Sequence, residues 1–206
     1  MARPRKFDEQ GVLLAAREQF WRNGYDGTSV HDLGKATGLG NQSIYGAFGN
    51  KRALFLRVLE DYCTAQVAGL GSSLSTSEDP WQSLLDAVTF EDSGRMSLTE
   101  EGCLLANCTA ALSRRDETVQ QHSVDTYSKI RDLFATQVVR AQNFRLLDDA
   151  IDPENAALSL LTVMQGIEFM SKSGIDREEL ERVKAAAIEL LVRAYSRVEA
   201  PPQDAD

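Results

Sequence analysis

The sequence predicts an all-α protein of about nine helices, with three short helices at the N-terminal end joined to a larger helical body. Two observations predict it. Apolar residues recur at helical spacing through most of the chain, and no convincing run alternates with the period of a strand. Most of the helical stretches also open on Asp, Ser, Thr or Asn, the residues whose side chains accept from otherwise unpartnered N–H groups. A chain of 206 residues is long enough for one large helical domain, or for a small module attached to a larger one. Its 43% hydrophobic and 26% charged residues are ordinary globular chemistry.

The first helix is expected from about Asp8 to Asn23, with Leu13, Ala16 and Phe20 inward and Gly24 as its stop. Thr28 or Ser29 caps a second, ending near Thr37 and Gly38; Asp32, three residues after Ser29, makes a capping-box variant. A third runs from Asn41 to Phe48 after only Leu39 and Gly40. Asn50 caps a fourth from Lys51 to about Leu70, and the Ser- and Gly-rich stretch 71–78 reads as a loop. Asp79 and Pro80, a cap followed by proline at the first helical position, start a fifth toward Phe90. Residues 91–101 are polar and read as loop, followed by an apolar short helix from Gly102 to Leu112. A long helix from about Asp116 to Asn143 carries Val124, Tyr127, Ile130, Phe134, Val138 and Ala141 on one stripe. Asp152 and Pro153 open the eighth, ending near Ser173. Asp176 with Glu179 boxes a ninth reaching about Val198, before a frayed tail. The expected domains are 1–50, 51–200 and a disordered tail at 201–206.

Charge divides the chain the same way. The net charge of −9 argues against a partner rich in phosphate, since phosphate contacts need Lys and Arg. Residues 1–57, however, hold nine basic and five acidic side chains, a balance of +4, and the remainder carries −13. A basic head on an acidic body points to a molecule that meets nucleic acid with its head alone.

The head meets the requirements of a helix-turn-helix, in which one helix braces across the DNA backbone and a second lies in the major groove. The pair is Ser29–Thr37 and Asn41–Phe48, with Gly38 supplying the positive φ of the tight turn and Gly34 allowing close helix approach. Val30, Leu33, Ala36, Leu39, Ile44 and Phe48 form the small core, above Phe20 and Tyr25. The run Gly24-Tyr25-Asp26-Gly27-Thr28-Ser29-Val30-His31-Asp32-Leu33, then Gly38-Leu39, then Ile44-Tyr45-Gly46-Ala47-Phe48-Gly49-Asn50-Lys51-Arg52-Ala53-Leu54-Phe55, resembles the N-terminal signature of the tetracycline-repressor (TetR) family. The match covers about residues 7–57, with glycines, aromatic pair and the lysine after the cap in register.

That resemblance implies a sequence-specific DNA-binding regulator. It assigns Thr28 or Ser29 to a phosphate, and Asn41, Gln42 and Ser43 to base edges. Gln42 or Asn41 is the amide suited to adenine. Tyr45 is assigned to sugar-phosphate or a thymine methyl, and Lys51 to a phosphate. Arg3, Arg5 and Lys6 form an arm for the adjacent minor groove. Gly40 departs from the pattern where a hydroxyl cap is usual, leaving Asn41 as the alternative cap. Gly46 departs from it where many members carry a larger side chain.

For the body, the resemblance implies a dimerisation and ligand-binding domain. The last two helices would pair with their copies through Ala157, Leu160, Leu161, Met164, Ala187, Leu190, Leu191 and Ala194, in a homodimer matched to a pseudo-palindromic operator of double-stranded DNA. The cavity for a small-molecule effector of unknown identity would be lined by Trp81, Leu85, Phe90, Met96, Leu105, Cys108, Tyr127, Phe134, Met164, Glu168 and Phe169. Glu168, a carboxylate among Leu and Met, needs a cationic effector or an internal Arg such as Arg131 as partner. The run Gly102-Cys103-Leu104-Leu105-Ala106-Asn107 resembles a segment found in one subset of the family, in which a cysteine senses electrophiles. Cys103 is therefore an alternative switch, although Glu100 and Glu101 before it oppose ionisation. Cys103 and Cys108 lie about 140° apart around a helix and cannot pair within it.

Other function classes lack their ingredients. There is no Ser-His-Asp set, Gly-rich phosphate loop or HExxH, so no catalytic residue and no cofactor is expected. Neither His31 nor His122 stands at ligand spacing from two thiolates, so no metal site is expected. No apolar run approaches the roughly 20 residues that span a bilayer, and the N-terminus lacks the apolar stretch of a signal peptide. The expected protein is cytoplasmic, with reduced cysteines and no membrane partner.

Overall fold

The computed structural model describes residues 8–91 and 102–195. Among them are nine helices: α1 (Glu9–Gly27), α2 (Val30–Thr37), α3 (Asn41–Phe48), α4 (Lys51–Thr76), α5 (Pro80–Thr89), α6 (Leu104–Leu112), α7 (Glu117–Asn143), α8 (Pro153–Ser171) and α9 (Arg177–Tyr195). The chain divides into two compact units, one of residues 1–66 with 101–126, the other of residues 67–100 with 127–206. The division falls within α4 and α7, so the head expected over 1–50 belongs to a larger unit containing the start of α4, all of α6 and the start of α7.

In the first unit, the Asp8 carboxylate caps α1 by accepting from the Gln10 amide at 3.1 Å, and α1 buries Val12, Leu13, Ala16 and Phe20. Regular helix breaks at Gly24, where φ is 70° and ψ is 172°. Phe20 meets Phe55 of α4 edge-on at 5.2 Å, and Tyr25 packs on the same ring at 4.8 Å. Burying an aromatic such as Phe20 contributes about 1.5–3 kcal/mol, so this cluster holds the end of α1 against α4.

Long-range polar contacts then bind the residue 102–126 segment to the head. The Trp21 indole N–H donates to the Gly102 carbonyl at 2.7 Å. Arg52 donates twice to Asp116, at 2.9 Å for both bonds, and once to the Thr118 hydroxyl at 3.0 Å. Arg115 pairs with Asp26. Gly102 itself is not helical; its φ of 65° precedes α6, which starts at Leu104 rather than at Gly102 as expected.

The Asp116 carboxyl is held below its ordinary pKa, chiefly by the hydrogen bonds from Arg52, which outweigh the opposing effect of burial; the Val119 and Thr118 amides add smaller contributions. A depressed folded pKa contributes stability that is present above the unfolded value, about 3.9, and lost as pH falls through the folded one. Asp116→Asn is therefore expected to lower the unfolding temperature at neutral pH and to converge with wild type as the pH falls below the ordinary carboxylate range. Melting curves across that range check it; a constant gap at every pH would contradict the assignment.

In the second unit, Leu70 and Leu74 of α4, Leu84 and Val88 of α5, Phe134 and Val138 of α7, Leu160 and Met164 of α8 and Leu191 of α9 form one continuous apolar core. The helix caps follow the sequence. Asp79 accepts from the Trp81 and Gln82 amides, Asp152 from Asn155, and Asp176 from Glu179. Gln142 donates to the carbonyls of Asp148 and Ile151, bracing the link from α7 to α8. Lys184, nearly buried on α9, reaches Glu91 at 2.8 Å and so ties α9 to the end of α5.

Two expectations are overturned. Residues 71–76 are helix rather than loop, because Leu74 is buried and Arg140 donates to the Leu74 and Ser77 carbonyls at 3.1 and 3.3 Å. A guanidinium at that end satisfies carbonyls that a helix terminus leaves unpartnered. Val124 is 58% exposed and does not belong to the inward stripe of α7; Ser123 and Thr126 are buried instead, with the Ser123 hydroxyl bonded to Thr109 of α6 at 2.7 Å. Small hydroxyls that bond locally are thus accommodated where periodicity alone would seat a valine.

Candidate nucleic-acid interface

The α2–α3 pair is built from local chemistry. Ser29 caps α2 in a reciprocal box: its hydroxyl accepts from the Asp32 amide at 3.1 Å, and its own amide donates to the Asp32 carboxylate at 2.9 Å. The Ser29 hydroxyl and amide hold the Asp32 carboxyl below the usual carboxylate range. Gly38, with φ 69° and ψ 9°, makes the left-handed turn. At Gly34 an added Cβ would stand 3.0 Å from the Leu39 carbonyl oxygen, so the turn folds back closely enough that a side chain there would push the Leu39 backbone away by a few tenths of an ångström.

Turn and cap together present α3 outward. Ile44 is its one fully buried residue, and Asn41, Gln42, Ser43, Tyr45 and Gly46 are exposed. The helix opens at Gly40, with no side-chain cap; Asn41 is the first helical residue and does not take over the capping role. Lys51 stands at the start of α4 with its ammonium 4.2 Å from the centre of the Tyr25 ring, while Asn50 caps that helix through the Ala53 amide. A cation over an aromatic face keeps its charge while its stem is held in place.

Between the alternatives at the start of α2, the structure separates Thr28 from Ser29. The Thr28 hydroxyl is buried and donates to the Gly24 and Gln19 carbonyls at 2.8 and 3.2 Å, so it is turned away from any DNA surface. Ser29 is exposed. Arg3, Arg5 and Lys6 lie outside the described residues.

With this geometry in place, the likeness to known proteins acquires meaning. Residues 12–58, which span the whole helix-turn-helix, match the model of bacterial regulatory proteins of the tetR family. Residues 87–187 match that of the tetracyclin repressor-like C-terminal domain. The chain belongs to the TetR family. It is a DNA-binding transcriptional regulator of the helix-turn-helix type. This TetR-family chain is 27% identical to the HTH-type transcriptional repressor ComR of Escherichia coli K12, over 91% of its own length and 90% of that protein's. It is 23% identical to the repressor DhaR of Mycobacterium sp. GP1, with 92% and 94% covered. Among solved structures, a TetR-family regulator from Cytophaga hutchinsonii superposes with a TM-score of 0.81 at 20% identity, covering 92% of this chain and 95% of that one, a likeness of fold. A cysteine-substituted CifR, solved with 26-bp double-strand operator DNA, superposes at 0.77 with 25% identity, covering 94% and 100%.

In the body, several positions assigned to dimerisation sit inside the protomer. Ala157, Leu160, Met164 and Leu191 are buried in the core of the second unit and have no surface to offer. Leu161 and Ala187 are half-buried; Leu190 and Ala194 are exposed. The outward face of the last two helices is instead Leu158, Thr162 and Phe169 of α8 with Ala186, Leu190 and Ala194 of α9, spaced at multiples of the helical turn. Phe169, expected in the effector cavity, is 75% exposed on this face.

The other cavity assignments are distributed. Leu85, Phe134 and Met164 are closely packed core of the second unit, with Trp81, Phe90 and Tyr127 at its edge. Tyr127 donates to the Gln165 side chain at 3.1 Å. Leu105 and Cys108 belong to the first unit, and Met96 lies outside the described residues. Glu168 is buried, and Lys172, one turn on, comes within 2.5 Å of its carboxylate. Arg131, offered as an internal partner, pairs instead with Asp132 and Glu154. Cys103 is half-buried at the start of α6, where its sulfur lies 3.6 Å from the Tyr62 hydroxyl. Burial pushes the Tyr62 pKa upward, so that hydroxyl stays protonated, and burial pushes the Cys108 thiol up to about 12.

Sequence reasoning missed Trp21, Arg52, Asp116 and Tyr62, which organise the unit around the head. Their partners lie 41–81 residues away, and no local pattern marks them.

Proposed function

We propose that this protein is a transcriptional repressor that acts as a homodimer on a pseudo-palindromic operator and leaves it when a small molecule binds in the second unit. The observation that carries the DNA reading is the α3 surface. A short helix anchored by Ile44 turns Asn41, Gln42, Ser43 and Tyr45 outward, and Lys51 opens the next helix with its ammonium over the Tyr25 ring. Gln42 or Asn41 reads a base edge, Ser29, Tyr45 and Lys51 hold sugar-phosphate, and the Arg3, Arg5 and Lys6 arm follows the minor groove.

Supporting the repressor reading are the relatives described as repressors that match over about nine-tenths of the chain. The protein works by binding rather than by catalysis, in the cytoplasm where the operator is found; among the described residues no helix is long and apolar enough to cross a membrane. Small-molecule release is favoured over a Cys103 switch, because the neutral Tyr62 hydroxyl beside that sulfur offers a thiolate far less than a cation would.

Selection of duplexes from a random-sequence pool tests the reading. Lys51→Ala is expected to weaken binding to every selected sequence alike and to lower the salt slope by about one. Gln42→Ala is expected to relax preference at particular base pairs, by about 1–3 kcal/mol each, while retaining the slope. A wild-type protein that recovers no duplex at low salt would sink the proposal.

A further inference from the structure

The recognition helix carries a residue that the protein itself gives no reason for. Gly46 lies in the second turn of the eight-residue α3, one turn beyond Gln42 and next to exposed Tyr45, at the middle of the outward face. Glycine destabilises a helix interior relative to alanine, and a helix this short has little stability of its own. Three of the four glycines around it have internal reasons, and the fourth, Gly40, is the extended residue before the helix rather than a helix interior. Gly38 and Gly49 adopt φ of 69° and 85°, and a Cβ at Gly34 would press on the Leu39 carbonyl oxygen at 3.0 Å. Gly46 has neither reason: it is not among the positive-φ residues, and a Cβ built on it meets nothing within 4 Å.

We infer that Gly46 is a specificity-determining residue whose missing side chain lets duplex DNA come against the backbone of α3. The space that a Cβ would fill is open in the free protein and lies on the same exposed side of α3 as Gln42 and Tyr45, two side chains that the proposed function places on DNA; the inference rests on that reading. A side chain at this point would hold the helix off the groove and lengthen the reach required of Gln42 to a base edge. Glycine here also serves as a filter, since only a duplex whose shape permits the close approach gains the full set of contacts.

The test compares wild type, Gly46→Ala and Gly46→Leu on a duplex selected by the wild-type protein. Both substitutions restore helix propensity, so the unfolding temperature is expected to rise by about 2–4 °C. Affinity for the selected duplex is expected to fall about tenfold for alanine and further for leucine, as for the loss of a base-pair contact. A more stable variant that binds more weakly separates this role from a purely structural one. Variants that bind within twofold of wild type would overturn the inference while leaving the DNA reading intact. A wild-type protein that selects no duplex would remove both.

Discussion

Leu190→Arg is expected to yield a folded monomer whose operator affinity is lower by about two to four orders of magnitude, the span that avidity confers on linked half-sites. Leu190 is 64% exposed on α9, about 100° around the helix from Leu191, which is 3% exposed in the core. An apolar stripe of Leu158 and Phe169 on α8 with Ala186, Leu190 and Ala194 on α9 is left exposed among the described residues. A second copy, related by a two-fold axis, is the occupant that the proposed function requires. Arginine at its centre places two like charges across the axis and desolvates both. Sedimentation and operator titration measure the effect. The adjacent Leu191→Arg provides the contrast, since a charge in the core of the second unit is expected to prevent folding altogether. A Leu190→Arg protein that remains dimeric would show that the interface lies elsewhere.

Ile44→Ala is expected to cost about 2–5 kcal/mol of stability and to abolish specific binding, through a residue that never faces DNA. Ile44 is 0% exposed and is the single fully buried contact of α3. Against a typical total of about 5–15 kcal/mol, that loss leaves the head marginal or frayed. Tyr45→Ala, one residue on, is the complementary measurement: stability is expected to stay close to wild type while binding weakens on every sequence. Thermal melts with binding isotherms on the same selected duplex separate the two. An Ile44→Ala protein of unchanged melting temperature would mean that α3 is held by something other than its buried isoleucine.

The helix-turn-helix was legible because its determinants are local. Ser29 and Asp32 are three residues apart, Gly38 sits at the turn, and Ile44 is the inward position of an eight-residue helix. Caps, glycine conformation and short-range periodicity act over one or two turns, so they can be read before any long-range contact is known. The caps at Asp79, Asp152 and Asp176 were legible for the same reason.

What the fold alone decided depends on contacts between distant residues. α8 is apolar nearly all round, so its pattern did not say which side faces inward; packing against α5 and α9 buries Ala157, Leu160 and Met164 and leaves Leu158 and Phe169 outside. Thr28 and Ser29 are equivalent as caps on paper, and only the carbonyls of Gln19 and Gly24 draw the threonine hydroxyl inward. The Ser- and Gly-rich end of α4 is weak helix by composition, yet Arg140, more than sixty residues on, satisfies its terminal carbonyls. Sequence by itself determined the order of the helices, most of their caps and the helix-turn-helix module, because each is encoded within a few residues. Tertiary structure decided which apolar face remains for a partner, because that depends on which side the rest of the chain has already covered.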